Sequence, residues 1–232
     1  MNGYLKNFKQ QIDALNTVYY NLLHPIEKQT SMNKWWLFGG GTALSIFHFQ
    51  YRISFDLDIF VTESQIFDFL DPKWFIDEID LFDNSNYRFD ALKKHLQLRM
   101  KKSNIKVDFL LNESIIKQPK QNMILELDYK LYYETIEDII AKKIKWRKED
   151  NIARDIFDIA MSISHDKDIL QKLIYSRFIN YDDIEILAQS LKNLNIKEYK
   201  IEIEKIKPQT KEYEMIAKNA DKIILSSVKD IR

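Results

Sequence analysis

Three of the four glycines in this 232-residue chain are consecutive, at Gly39, Gly40 and Gly41. Glycine loses more backbone freedom on ordering than any other residue, so such a run marks a place where the fold needs a conformation or a close approach that a Cβ forbids. The apolar run WWLF leads into it, and TALSIFHF, which contains no helix breaker, leads out. That pattern predicts strand, tight turn and helix. At such a junction the turn's amides and the first N–H groups of the helix are open to an anion, and the helix dipole favours one. Thr42 can add a hydroxyl donor. The plainer alternative is a turn packed tightly against its neighbours. Neither GxxxxGK nor GxGxxG is present, so the run is not a Walker loop or a dinucleotide fingerprint.

Beyond the helix, DLDIFV alternates polar and apolar residues and reads as a short strand. On a strand, Asp56 and Asp58 leave the same face, roughly 6 to 7 Å apart, with Leu57 and Ile59 on the other. Two carboxylates so placed suit hard divalent cations, and they can bridge a metal pair about 3.5 to 4 Å apart that also binds nucleotide phosphates. The alternative is a solvated strand face carrying two acids. It has to accept two like charges side by side in a run, Phe55 to Val61, that is otherwise core-forming. A third acid, Asp108, lies on IKVDFLL, where Ile105, Val107 and Phe109 share one face and Lys106 and Asp108 the other. If the two strands are neighbours, Asp108 completes a three-carboxylate cluster.

With 45% hydrophobic residues the chain can bury a substantial core. Its 35 Lys and Arg balance 35 Asp and Glu, so bulk charge points to neither a nucleic acid nor a membrane, and only local patches can do so. The lack of cysteine excludes disulfides and thiolate metal sites and fits a reducing compartment. Polar residues interrupt MNGYLKNFKQQIDAL too often for a signal peptide or a membrane span, and the default location is the cytoplasm.

From Tyr4 to Thr30 apolar residues recur at helical spacing, with Pro25 as a kink or an end. Residues 64 to 81 read as helix around an interruption at Asp71 and Pro72, and Asp83 to Asn86 as loop. HLQLRMK and NIKVDFLLN alternate as strands, with Lys102 to Asn104 closing a hairpin between them; LDYKLYYET is a weaker strand. From Thr135 onward the patterns are helical only. Thr135 and Asp138 resemble a capping box opening IEDIIAKKIKWRK. The segments ARDIFDIAMSIS, KDILQKLIYSRF, DDIEILAQSLKNL and EYEMIAKNADKIILSSVKD follow, and Pro208 marks one boundary. The expected organisation is a mixed α/β part with an amino-terminal helix, residues 1–134, and a helical part, residues 135–232.

The block Gly40-Gly41-Thr42-Ala43-Leu44, then His48, Arg52, Ser54 and Asp56-Leu57-Asp58-Ile59-Phe60, resembles the AbiEii/AbiGii-type nucleotidyltransferase toxins of the polymerase-beta-like superfamily. A second block, Ala141 and Lys143 followed by Arg154, Asp155 and Asp158, matches the same family's A-x-K and R-D-x-x-D pattern. Two blocks in the right order are far more specific than either alone, and the resemblance covers about residues 36 to 160. Gly-Thr replaces the superfamily's Gly-Ser and keeps the hydroxyl. The resemblance implies an α+β fold: a polymerase-beta-like core with a mixed sheet, a carboxy-terminal helical bundle and an active site in the groove between them. It implies transfer of a nucleoside monophosphate from an NTP to an acceptor hydroxyl, with tRNA as a plausible acceptor and a separately encoded antitoxin as partner. Asp56 and Asp58, with Asp108, would hold Mg2+ or Mn2+. Gly40, Gly41 and Thr42 would cradle the phosphates, Lys143 and Arg154 would contact the nucleotide, and Asp158 or Asp155 would orient Lys143 or the acceptor. Read without the first block, Lys143 is a solvated lysine and Arg154 with Asp158 an ordinary helical ion pair.

Between Asp90 and Asp108 there is no acid, but there are Lys93, Lys94, Arg99, Lys101, Lys102 and Lys106; a second basic group runs Lys142, Lys143, Lys145, Arg147 and Lys148. These can form a surface for an RNA backbone, with Trp146, Tyr129, Tyr132 and Tyr133 stacking bases. An edge strand guarded by lysines, over an aromatic core, explains them equally well. Two other functional classes therefore stand beside the enzyme: an inactive relative that binds nucleotide or a partner protein, and an RNA-binding module that needs no metal.

Overall fold

The computed structural model describes residues 5–32, 34–112, 120–122, 127 and 129–231. The chain divides into two compact units, one built from residues 1–46 and 54–134 and the other from 47–53 and 135–232. Besides the change of character at 134/135, the short stretch Phe47–Ile53 therefore groups with the helices.

Among the described residues the first unit holds a seven-stranded mixed sheet. Its strands are β1 Trp36–Gly39, β2 Leu57–Val61, β3 Arg88–Asp90, β4 His95–Arg99, β5 Lys106–Leu111, β6 Lys120–Asn122 and β7 Leu131–Tyr133, in the order β3-β4-β5-β2-β1-β7-β6. β2 is parallel to β5 and antiparallel to β1, so DLDIF and IKVDFLL are neighbours. Alternation sorts the residues. Leu57, Ile59, Leu96, Leu98, Val107 and Phe109 are fully buried and meet in register on one face. Each such side chain contributes roughly 1.5 to 3 kcal/mol. The opposite face carries a polar row, because Gly39, Asp58, Asp108, Gln97 and Arg88 register across five strands. The expected hairpin turn at Lys102 to Asn104 joins β4 to β5, and Asn104 takes the left-handed conformation that turn requires.

The amino-terminal helix is continuous past Pro25: α1 Lys9–Val18, a wider π turn at Tyr19–Leu23, then α2 His24–Thr30. Proline lacks an N–H and crowds the carbonyl one turn back, and the π turn changes the hydrogen-bond register just before it. Residues 64 to 81 depart from the helix expected there. They form short 3-10 turns at Ser64–Asp68 and Pro72–Trp74, with the Asp71 carboxylate accepting from the Lys73 amide at 3.2 Å. β3 is too short to show periodicity in sequence, and β6 lies in a segment read as neither strand nor helix. After the glycines, α3 Gly40–Ala43 runs into a π turn, Leu44–Phe49.

The second unit holds α4 Ile136–Arg147, α5 Ala153–His165, α6 Ile169–Tyr175, α7 Tyr181–Lys192, α8 Ile196–Ile206, α9 Lys211–Lys218 and α10 Ala220–Asp230. α5 is its hub, packed against α4, α6, α8, α9 and α10, and Asp155 to Ile163 are all buried. At Thr135 half of the expected capping box forms, the side chain accepting from the Asp138 amide at 3.2 Å. The reciprocal box occurs at Asn180 and Asp183. Asn219 divides the last predicted segment into α9 and α10. Among the described residues no helix is long and apolar enough to cross a membrane.

Candidate active site

The glycine turn sits at the end of β1, and two of its members are glycine for identifiable reasons. A Cβ on Gly39 would collide with Glu134 Oε2, and one on Gly40 with Asp58 Oδ2. Gly40 also has φ +66, a backbone state that side chains disfavour. The Asp58 carboxylate therefore rests against the turn in space that only glycine leaves open. The amide of Gly40 donates to Glu134 Oε2 at 3.1 Å, and Glu134 is buried. Thr42, expected to add a hydroxyl for a phosphate, is fully buried and donates to the carbonyl of Asp56. Its hydroxyl ties the helix to the catalytic-strand candidate. Gly41 is partly exposed.

β2 starts at Leu57, so Asp56 lies one residue before the strand and Asp58 within it. Both carboxylates are partly exposed. Asp108 stands beside Asp58 in register, on the same face of the sheet. Its carboxylate is engaged on both oxygens: Oδ1 accepts from Gln97 Nε2 at 2.9 Å and pairs with His95 Nε2 at 2.9 Å, and Oδ2 meets Lys106 Nζ at 3.0 Å. Burial pushes this carboxyl up, but the hydrogen bonds from Gln97, His95 and Lys106 outweigh it and hold it below the ordinary value. Lys106 also reaches Asp56 Oδ2 at 3.7 Å. Among the described residues no group of three or more acids and histidines is arranged to hold a metal ion. The three expected carboxylates thus share one face, but Asp108 spends its oxygens on organising donors.

The second motif block lies in the helical unit and forms a buried knot. Asp158 is fully buried; Arg52 donates to it through Nε at 2.7 Å and Nη2 at 2.8 Å, Tyr51 donates its hydroxyl, and Lys143 Nζ lies 3.1 Å away. Burial raises the Asp158 carboxyl, yet the charges of Arg52 and Lys143 bring it down to about 2. Burial likewise lowers the Arg52 guanidinium, and Asp158 more than reverses that. Lys143 also binds Asp155, whose other oxygen meets Arg147 at 3.3 Å. The arginine of the first block and the last aspartate of the second are thus bonded partners. Arg154 faces outward from α5.

The basic stretches are broken up by pairing. Lys101 binds Asp80, Lys148 binds Asp183 at 2.8 Å, and Lys142 and Lys143 are buried. Tyr129 and Tyr133, proposed to stack bases, belong to the core; Tyr129 stacks on Tyr19 with ring centroids 3.5 Å apart. Trp146 remains exposed. Glu134, His95, Gln97 and Tyr51 were not singled out from sequence. Only the polar side of HLQLRMK hinted at two of them.

The family described as nucleotidyl transferase AbiEii toxin, type IV toxin-antitoxin system, matches residues 22–223. The chain belongs to that family. Solved structures that resemble it include JHP933 from Helicobacter pylori, with 15% identity, 99% of this chain and 95% of that one covered, and a TM-score of 0.49. Another is a nucleotidyltransferase toxin, MenT4 of Mycobacterium tuberculosis, with 12% identity, 100% and 95% covered, and a TM-score of 0.48. No curated protein matches the chain by sequence. That family is one of nucleotidyltransferase toxins, and the fold is of the α+β class.

Proposed function

We propose that this toxin transfers a nucleoside monophosphate from an NTP to a hydroxyl of an RNA acceptor, tRNA being the natural candidate, in the cytoplasm and under the control of a separately encoded antitoxin. One observation carries the reading: Asp58 lies against Gly40 in a space that only glycine leaves open, so the acidic face and the glycine turn are one place. A sharp glycine turn with an acid seated against it is what a metal-bound triphosphate requires, and Gly41 keeps part of that turn open to solvent.

The donor set fits Mg2+ or Mn2+. Magnesium is held by one or two carboxylates and completes its shell with water and substrate phosphate, and the partly exposed Asp56 and Asp58 supply such oxygens. When bound, the ion would lower the pKa of the attacking hydroxyl and offset charge on the transferred phosphoryl. Gly40 and Gly41 let the phosphates approach the backbone. Thr42 fixes Asp56 through its carbonyl. Asp108 gathers His95, Gln97 and Lys106 beside the acids, adding positive charge on the same face. Lys143, held between Asp155 and Asp158, remains the family-implied cation for the nucleotide, with Arg154 as a second.

The test is incubation of the purified protein with total RNA, each labelled NTP in turn and Mg2+ or EDTA, beside an Asp56→Ala, Asp58→Ala variant. Label should enter RNA with at least one NTP, only with a divalent ion, and not with the variant. RNA binding that survives EDTA, with no label from any NTP, would instead support the RNA-binding module and end the enzyme reading.

A further inference from the structure

The acidic face of the sheet already carries a cation of its own. Lys106 Nζ sits 3.0 Å from Asp108 Oδ2 and 3.7 Å from Asp56 Oδ2. Register places it there: β5 pairs with β2 so that Val107 stands beside Leu57 and Asp108 beside Asp58, which brings Lys106 level with Asp56. The other oxygen of Asp108 is held by His95 and Gln97, so this carboxylate is a fixed post against which the lysine leans. The lysine side chain is 30% exposed, so solvent and solutes can reach it. Burial disfavours its charge, but Asp108, Asp56 and Asp58 together raise its pKa, so it is a cation throughout the neutral range.

We propose that Lys106 is a resident counter-cation that competes with a divalent ion for Asp56, and that once displaced from Asp56 it turns to the phosphate oxygens of the nucleotide. The proposal rests on the reading that Asp56 and Asp58 take a divalent ion. Two cations within about 4 Å of each other repel in a partly buried site, so the ammonium weakens the ion's hold before Asp56 until a further anion joins them. The nucleotide's phosphates are that anion. Without substrate, Lys106 keeps like-charged carboxylates together and lowers their affinity for metal. With substrate, both cations are accommodated. Metal and NTP therefore bind cooperatively, each raising the affinity for the other by the same factor.

The experiment titrates Mn2+ into wild type, Lys106→Met, Lys106→Arg and Asp56→Asn, following free Mn2+ by electron paramagnetic resonance, with and without a non-hydrolysable NTP analogue. Circular dichroism and a thermal melt on each protein establish that it is folded. Without nucleotide, Lys106→Met should bind Mn2+ about tenfold more tightly than wild type, the scale of one nearby charge in a partly buried site. Lys106→Arg should stay close to wild type. The analogue should strengthen Mn2+ binding more in wild type than in Lys106→Met. If Asp56→Asn weakens Mn2+ binding while Lys106→Met matches wild type or binds more weakly, competition is wrong and the metal site stands. If wild type takes up no Mn2+ even with the analogue, or Asp56→Asn binds as wild type does, the metal-site reading fails and the proposal falls with it.

Discussion

Asp56, Asp58 and Asp108 in the α/β unit and Asp155 with Asp158 in the helical unit are both knots of aspartate and basic residues, and they are built in opposite ways. Around Asp158 everything is closed. The carboxylate is fully buried, a guanidinium grips both oxygens, a tyrosine hydroxyl and an ammonium complete the shell, and no donor can leave without stranding a charge. Around Asp56 and Asp58 the acids are partly exposed, and the Lys106 ammonium straddles Asp56 and Asp108 at unequal distances. The closed knot reads as a fixed mount that holds Lys143, and the open one as a place for exchange. Sequence alone ranks both as paired acids; burial separates them.

The sharpest way to break this contrast is to neutralise one acid in each knot. Asp158→Asn leaves Arg52 and Lys143 facing an amide in a dry interior, and it should cost about 3 to 5 kcal/mol of stability, the usual penalty for half of a buried ion pair. Asp56→Asn removes a partly exposed charge from a site crowded with its own sign. Its stability should change by less than about 1 kcal/mol while nucleotide transfer disappears. Urea unfolding followed by circular dichroism measures both. Comparable losses would show that the two knots are alike.

Acid should act on the closed knot next. The Asp158 carboxyl stands at about 2 in the folded protein against an ordinary 3.8, with Arg52, Tyr51 and Lys143 facing it. Because the folded value is the lower one, the stabilisation is complete above about pH 4 and is lost as pH falls through 2, an effect of about 2 kcal/mol. Stability measured between pH 5 and 2 should fall in wild type. Asp158→Asn should lose less over the same range, since it has no carboxyl there to protonate.

Much of this was legible in local pattern. The glycine turn with strand before and helix after, the alternation of HLQLRMK, the hairpin at Lys102 to Asn104 and the helical character after Thr135 all arise from neighbours in sequence. What was not legible came from distance or from mimicry. Arg52 and Asp158 are 106 residues apart, and nothing in either motif says that they touch. Glu134 ends a weak strand, and its bond to the Gly40 amide exists only because β7 pairs with β1. α8 hides because KIEIEKI alternates as a strand would; only Tyr199 and Ile203, one turn apart, are buried on its inner side. Residues 64 to 81 carry helical spacing that Asp71 and Pro72 cut into turns too short to propagate.

The smallest effect is the most discriminating, because it concerns the cations. Lys106 reaches two carboxylates and Arg52 grips both oxygens of one, yet their removal should cost unequal amounts. Arg52→Met leaves the fully buried Asp158 with Lys143 and Tyr51 alone and should destabilise the fold by several kcal/mol. Lys106→Met removes an ammonium with nearly a third of its side chain in water, where ion pairs are worth about 0 to 1 kcal/mol, and the methionine keeps most of the apolar stem. Asp108 still keeps His95 and Gln97 as donors, so no buried carboxylate is stranded. The midpoint of urea unfolding for Lys106→Met should therefore stay within about 1 kcal/mol of wild type. A loss as large as that of Arg52→Met would mean that Lys106 is part of the scaffold and not a cation held in place until a metal and a nucleotide arrive.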